Sequence, residues 1–252
     1  MNLPISNAPG SSASSSSTSG STVSRHFALI PAAGVGARMG SSSPKQYVMI
    51  SGKPMLLHVL DTFAASSVIE HTFVVVNAED QHIREVMAGA PHLEGRVTAI
   101  FNGGATRHAS VLKGLRVLSD YAGPDDWILV HDAARPGLTT ALIEKLTAAL
   151  HDDSVGGLLA MPVVDTLKRG GNDKRVQATV PRSGLWAAQT PQMFRYGLLR
   201  RALETVDDVT DESSAIEALG LQPKLVEGSS RNFKVTLPQD VALAEMYLRE
   251  DL

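Results

Sequence analysis

The chain has 252 residues, 43% of them hydrophobic and 19% charged, with a formal net charge of −3 and no cysteine. Length and composition suit one globular α/β domain with a full core. The balance of charge leaves no global basic field for nucleic acid, and the missing thiols exclude disulfides, thiolate metal sites and cysteine nucleophiles. No apolar run approaches the ~20 residues that span a bilayer, so no membrane partner is expected and the cytoplasm is the expected compartment.

Residues 1–24 differ in kind from the rest. Asn7 to Ser24 is almost entirely Ser, Gly, Ala, Pro and Thr, with no aromatic residue. Such a segment buries too little apolar area to offset its ordering entropy, which predicts a disordered tail. Residues 25–252 read as a single domain. Phe27–Ala33, Thr72–Asn77, Val97–Phe101 and Trp127–His131 are short apolar runs that predict buried strands. Arg107–Ser119 between them repeats Val111, Leu115 and Leu118 on one helical face. Strand–helix alternation of this kind predicts a mostly parallel, doubly wound sheet. After residue 155 the pattern changes: Gly156–Lys168 and Arg175–Val180 read as strands joined by a turn at Gly170–Asp173. This excursion, about residues 163–190, has the form of a protruding arm. Helices are predicted over Arg195–Val206 and Glu212–Leu219, with Gly220 ending the latter. Thr236 and Gln239 have capping-box spacing for a last helix through Leu248.

The most informative stretch follows the first strand: Pro31-Ala32-Ala33-Gly34-Val35-Gly36-Ala37-Arg38-Met39-Gly40, then Pro44-Lys45-Gln46-Tyr47. Glycines let backbone amides approach an anion, and Arg38 and Lys45 add fixed positive charge. The loop suits polyphosphate. It is neither a dinucleotide fingerprint, since its third glycine falls one place late and no acidic residue ends the second strand, nor a P-loop, since Gly52-Lys53 is followed by Pro54.

Asp132, in His131-Asp132-Ala133-Ala134-Arg135-Pro136, ends another predicted strand, where a Mg²⁺ ligand for phosphate oxygens is suitably placed. A turn or helix cap is an equal reading of that aspartate. Arg135 suits an anionic substrate. Asn102-Gly103-Gly104-Ala105-Thr106 leads into a helix with Thr106 as its N-cap, and paired glycines there would let a planar base approach the backbone near Ser110. Asp207 to Glu212 reads as an acidic helix start, and Lys234 as a strand lysine before the last helix. No histidine pair at i, i+4 and no G-x-S-x-G elbow occurs. Phosphate electrostatics is the chemistry this chain is equipped for.

These blocks, with Gly103-Gly104…Arg107…Ser110-Val111, Asp165-Thr166, Gln189-Thr190-Pro191-Gln192, Thr210-Asp211-Glu212 and Lys234-Val235-Thr236, run in order from Phe27 to about Leu248. Together they resemble the 2-C-methyl-D-erythritol 4-phosphate cytidylyltransferases. The resemblance implies a Rossmann-like nucleotidyltransferase fold, a reaction of CTP with a sugar-alcohol phosphate, and a homodimer formed through the arm. It implies that Ala32, Ala33, Gly34, Gly36, Gly104 and Ser110 surround the nucleotide. Asp132 would hold Mg²⁺, and Asp132, Arg135, Thr166, Arg182, Thr190, Thr210 and Lys234 would surround the second substrate. Arg38 and Lys45 would stabilise charge on the transferring phosphate, and Arg182 and Lys234 would clamp the attacking one. In that family arm residues reach a neighbouring subunit, so Arg182 and Thr190 are expected to serve the partner's site. Ser41–Ser43 and Ala105, the latter where some relatives carry an acid, depart from the pattern. Ribitol-5-phosphate cytidylyltransferases share much of it, and a non-catalytic nucleotide sensor would keep the fold. Arg38, Lys45, Asp132 and Lys234 argue against the sensor.

Overall fold

The computed structural model describes residues 24–34, 44–207 and 209–249; Gly36, Arg38 and residues 1–23 of the expected tail lie outside the described residues. Along the described chain run β1 (His26–Pro31), β2 (Met49–Ile50), β3 (Lys53–Pro54), α1 (Met55–Ala65), β4 (His71–Val75), α2 (His82–Ala88) and β5 (Val97–Ile100). There follow α3 (Arg107–Leu118), β6 (Trp127–Val130), α4 (Thr140–Leu150), β7 (Gly157–Pro162), β8 (Leu167–Gly170), β9 (Val176–Val180) and β10 (Trp186–Arg195). The chain ends with α5 (Tyr196–Thr205), α6 (Glu212–Ala218), β11 (Lys224–Glu227) and α7 (Gln239–Leu248). Seven strands form the main sheet in the order β11-β7-β10-β6-β1-β4-β5. β1 is parallel to β4 and β6, β4 to β5, and β7 to β11, while β10 runs antiparallel to both β6 and β7.

Successive side chains of a strand point to opposite faces, and here both faces are covered. Ala28 and Ile30 of β1, Val74 of β4 and Leu129 of β6 pack with Leu56, Leu60 and Phe63 of α1 and Ile143 and Leu146 of α4. Phe27 and Leu29, Phe73 and Val75, and Ile128 and Val130 pack on the other side with Val111 and Leu115 of α3 and Leu199 and Ala202 of α5. Burial on both faces is why these strands read as continuous apolar runs. The chain passes from β1 outward to β4 and β5, then returns to β6 on the far side of β1. That reversal opens a crevice beyond the carboxyl ends of β1 and β6, the place where open α/β sheets bind ligands.

The predicted elements hold with three corrections. Gly156–Lys168 is two strands: β7 stays in the main sheet through Pro162, and β8 then pairs only with β9 in a separate two-stranded sheet. Apolar spacing continues across the break, so the pattern could not locate it. β10 is a strand that the sequence hides, because Gln189, Thr190, Pro191 and Gln192 interrupt its apolar character. Its ladder with β7 shifts register between Ala188 and Gln192. The Thr236–Gln239 capping box does not form. The Asp240 carboxylate instead accepts from Thr236 N at 2.7 Å, Thr236 Oγ1 at 3.0 Å and Leu237 N at 2.8 Å. An acid one residue further on reaches all three donors.

Gly114 sets the distance between α3 and the sheet. A Cβ there would lie 2.7 Å from Leu29 Cδ1 and 2.9 Å from Val75 Cγ2. Gly114→Val is expected to overpack this face and cost about 1–3 kcal/mol, read as a lower midpoint in urea unfolding with the slope unchanged. A midpoint equal to that of the unsubstituted chain would show that α3 can move off the sheet freely.

Candidate active site

A cleft of about 490 Å³ opens at this crevice. The turn after β1 (Pro31–Gly34), the Lys45–Gln46 segment, Asn77 after β4, the loop after β5 (Gly104–Thr106) with Arg107 and Ser110 of α3, Asp132–Ala134 after β6, and Lys234 line it. Each wall is thus the end of a strand or the segment that follows it.

Two glycines make the close approach possible. A Cβ on Gly103 would stand 2.3 Å from Ala33 Cβ and 2.8 Å from Val76 O, and one on Gly104 would stand 2.4 Å from Ala109 Cβ. The Ser110 hydroxyl accepts from Gly104 N at 3.0 Å and donates to Thr106 O at 3.0 Å. It therefore fixes the glycine turn at the cleft wall. Thr106 caps α3 as expected, its side chain accepting from Ala109 N at 3.1 Å. On the opposite wall Gln46 Nε2 donates to Ala32 O at 2.6 Å, and Tyr47 OH to Asp80 Oδ2 at 2.8 Å. Lys45 Nζ donates to Val235 O at 2.8 Å, which brings the lysine beside the segment that carries Lys234.

Asp132 is the centre of the charge arrangement. Arg107 Nε donates to its Oδ1 at 3.0 Å and Lys234 Nζ to its Oδ2 at 2.9 Å, while Arg135 Nε lies 3.7 Å from Oδ2. Burial alone would raise this carboxyl, but the charges of Arg107 and Lys234 outweigh it and hold the group well below the usual carboxylate range. It is held as a carboxylate near neutral pH. Arg107 has a second acid: its Nη1 and Nη2 donate to Glu212 Oε1 and Oε2 at 2.6 and 2.9 Å. Burial opposes the guanidinium charge, and the Glu212 and Asp132 carboxylates more than compensate, raising it further above its ordinary value.

Behind Asp132 the turn is closed by a chain of polar contacts. The Arg135 carbonyl can only accept, so His131 Nε2 donates to it, at 3.2 Å, and His131 Nδ1 accepts from the Thr190 hydroxyl at 2.9 Å. The same hydroxyl oxygen accepts from Asp132 N at 3.0 Å. Arg135 itself is held by Asn232 O at 2.7 Å and Ala188 O at 3.3 Å. Burial pushes the His131 imidazole down to about 4, against the opposing pull of Asp132.

The structure brings together Ala32, Ala33, Gly34, Lys45, Gly104, Ser110, Asp132 and Lys234 around one cleft. Arg135 and Thr190 stand behind Asp132 as its supports. The expectation that Thr190 serves a neighbouring subunit gives way: it is buried on β10 and bonded to His131 and Asp132 of its own chain. Thr166 and Arg182 lie exposed on the arm, where Arg182 bonds the Val164 carbonyl, and neither lines the cleft. Thr210 is exposed just ahead of α6. Lys234 sits on an extended segment outside any ladder, not on a strand. Arg107 and Glu212 belong to the blocks that carry the resemblance, but the sequence reading gave neither a place in the site. The available signal was Arg107 at the first position of α3, where the helix dipole disfavours a cation unless an acid compensates.

Asp132 also suits a divalent cation. Mg²⁺ is commonly held by one or two carboxylates together with substrate phosphates. Each Asp132 oxygen accepts one short bond and the residue lines the cleft, which leaves acceptor capacity for an ion brought in by a polyphosphate. Among the described residues no cluster of three His, Asp or Glu side chains could hold a metal by itself.

Strand ends at a switch point, glycine turns and fixed cations define a nucleotide-handling α/β transferase. Residues 26–250 match the model of the family described as 2-C-methyl-D-erythritol 4-phosphate cytidylyltransferase. A protein of that name from Dechloromonas aromatica (strain RCB) is 53% identical over 225 residues, covering 89% of this chain and 98% of its own. Another from Azoarcus sp. (strain BH72) is 54% identical over 224 residues, covering 89% and 94%. A solved structure of a 4-diphosphocytidyl-2C-methyl-D-erythritol synthase superposes with a TM-score of 0.80 at 43% identity, covering 90% of this chain and 100% of that one. The chain belongs to the 2-C-methyl-D-erythritol 4-phosphate cytidylyltransferase family.

The buried imidazole has a consequence for stability. With His131 at about 4 in the fold and about 6.5 when unfolded, the unfolded chain binds the extra proton between those values. Stability therefore falls as pH drops through that window, by about 3 kcal/mol at its acid end. Urea unfolding from pH 7 to pH 4 should show this slope, and His131→Asn should flatten it. Parallel pH curves for the two proteins would contradict a neutral buried His131.

Proposed function

We propose that this protein transfers CMP from CTP to 2-C-methyl-D-erythritol 4-phosphate, giving 4-diphosphocytidyl-2-C-methyl-D-erythritol and pyrophosphate. Membership of the family supports the reaction, and one observation in the fold carries its placement. Lys45 and Lys234, far apart in sequence, reach the same cleft at the ends of β1 and β6.

A phosphate oxygen of the sugar-alcohol phosphate attacks the α-phosphorus of CTP, a P–O bond forms, and the bond to the leaving pyrophosphate breaks. No protein nucleophile is needed. Two polyanions must be held together while negative charge crowds at the reacting phosphorus. The turns at Ala32–Gly34 and Gly104, braced by Ser110, form the nucleotide wall. Lys45, with Arg38 on the same loop, stabilises the charge that develops on the α-phosphate and leaving group. Lys234 clamps the attacking phosphate and orients it. Mg²⁺ held on Asp132 would neutralise phosphate oxygens.

Thr166 and Arg182 do not line this cleft, so their contribution to the second substrate would come through a second copy. Support for a homodimer through the arm comes from its surface: Val164 and Val176 are 74% and 66% exposed, and Leu185 and Trp186 are exposed as well. Such apolar exposure on a protruding element suits an interface. No helix among the described residues is long and apolar enough to cross a membrane, and with substrates that are charged metabolites we place the enzyme in the cytoplasm.

Pyrophosphate release, measured with Mg²⁺ and each nucleoside triphosphate, tests the reading. Release is expected with CTP and methylerythritol phosphate; release only with ribitol 5-phosphate would reassign the acceptor, and none with any pair would reject transfer. Lys45→Ala should lower kcat by about 10²–10³-fold with an unchanged fold by circular dichroism. Full turnover in that variant would remove the lysine from the mechanism.

A further inference from the structure

Glu212 is a carboxylate at the first position of α6, 1% exposed, and absent from the cleft wall. Burying an acid there is costly unless its charge is matched. Its match is complete: both oxygens take one N–H each from Arg107, at 2.6 and 2.9 Å, in the two-point geometry that a guanidinium offers and an ammonium cannot. The third edge of that guanidinium points elsewhere, with Nε donating to Asp132 Oδ1 at 3.0 Å. The other Asp132 oxygen holds Lys234 Nζ at 2.9 Å. The result is an alternating row of charges, Glu212–Arg107–Asp132–Lys234, that starts in the interior and ends in the cleft.

Each member removes freedom from the next. A guanidinium fixed by two bonds cannot rotate about its own axis, so its Nε presents one direction to Asp132. A carboxylate held at one oxygen then offers the other at a set angle, and Lys234, a flexible side chain with 39% of its surface exposed, is aimed by that oxygen. The anchoring end is itself rigid. Asp211 caps α6, its side chain accepting from Ser214 N at 2.9 Å while Ser214 Oγ receives Asp211 N at 3.1 Å. Gln192 of β10 joins the same turn, donating to Asp211 and accepting from Ser213 N at 2.7 Å.

We propose that Glu212 is a positioning residue for the transfer reaction, acting through Arg107 and Asp132 to hold Lys234 at the angle that orients the attacking phosphate. The proposal rests on the transferase reading above and adds a residue that never touches substrate. A row of this kind controls orientation more than binding, and small misplacements of a reacting group cost on the order of 10²-fold in rate.

Glu212→Gln is therefore expected to lower kcat on the order of 10²-fold with KM for CTP nearly unchanged. It also leaves the partly exposed Arg107 guanidinium half-matched, and a Tm loss of about 5 °C is expected. The variant Arg107→Met/Glu212→Met separates the two effects. Apolar replacement removes the unmatched charge at α6 but also takes one partner from Asp132, so this protein should melt above Glu212→Gln and below the parent, and remain slow. In the Arg107→Met background, adding Glu212→Met should lower kcat no further, because the acid acts through the arginine. Arg107→Lys should stay slow, since a single ammonium cannot span both acids. A double variant that folds and turns over at the parent rate would overturn the proposal and leave the pair a structural one.

A readout independent of turnover accompanies these assays. Glu212 and Lys234 are linked through Arg107 and Asp132, so the Tm losses of Glu212→Gln and Lys234→Met should not sum in the combined variant. Losses that do sum would contradict the linkage. A parent protein that releases no pyrophosphate would count against the transferase reading, and the melting comparison would still decide whether the row is linked.

Discussion

The Asp132 carboxylate is the interaction on which the rest of the site depends. Three cations converge on it, and they arrive from separate parts of the chain: Arg107 on α3, Arg135 in the turn after β6, and Lys234 ahead of α7. An acid so surrounded stays charged, and it fixes Arg107 and Lys234 at the cleft wall, where a phosphate would meet them. Without the acid, several positive charges would repel one another in a cleft that must be preorganised before two polyanions enter. The cost of burying it is met by the bonds from Arg107 and Lys234.

The sheet supplies the precision. β1 and β6 lie side by side in the main sheet, paired from His26 with Trp127 to Leu29 with Val130. The turns that leave their ends are thereby held at one spacing. β10 enters antiparallel on the other side of β6 and delivers Thr190 behind the aspartate, which a parallel strand leaving the same end could not do as directly. Gly103 then lets the β5 loop come within contact of the β1 turn, and Gly104 lets it close on the start of α3, completing the nucleotide wall. Fold and site are therefore one construction: strand ends set positions, side chains from loops set charge.

Much of this was legible in sequence because it is local. β1, β4, β5 and β6 are buried on both faces and so appear as apolar runs, each predicted within about two residues of its ends. The Thr106 cap and the Asp211 helix start are three-residue geometries that need no tertiary knowledge. Less visible was what depends on distant contact. β10 carries Gln189, Thr190 and Gln192 inward because their partners are the Ser229 carbonyl, His131 and Asp211, and nothing in the local string reveals that. Asp240 displaced Gln239 from the α7 cap by reach alone. The Arg107–Glu212 pair spans 105 residues and joins two helix starts that each look ordinary.

The chemistry assigned to this cleft places attack at the α-phosphorus of CTP, and ³¹P NMR of CTP, methylerythritol phosphate, Mg²⁺ and the protein observes that atom directly. The α-resonance should convert to a coupled pair of diphosphate diester signals while inorganic pyrophosphate appears in equal amount. Loss of the γ-phosphate as orthophosphate, with the α-resonance left in CDP, would contradict it and make the protein a hydrolase of the same nucleotide.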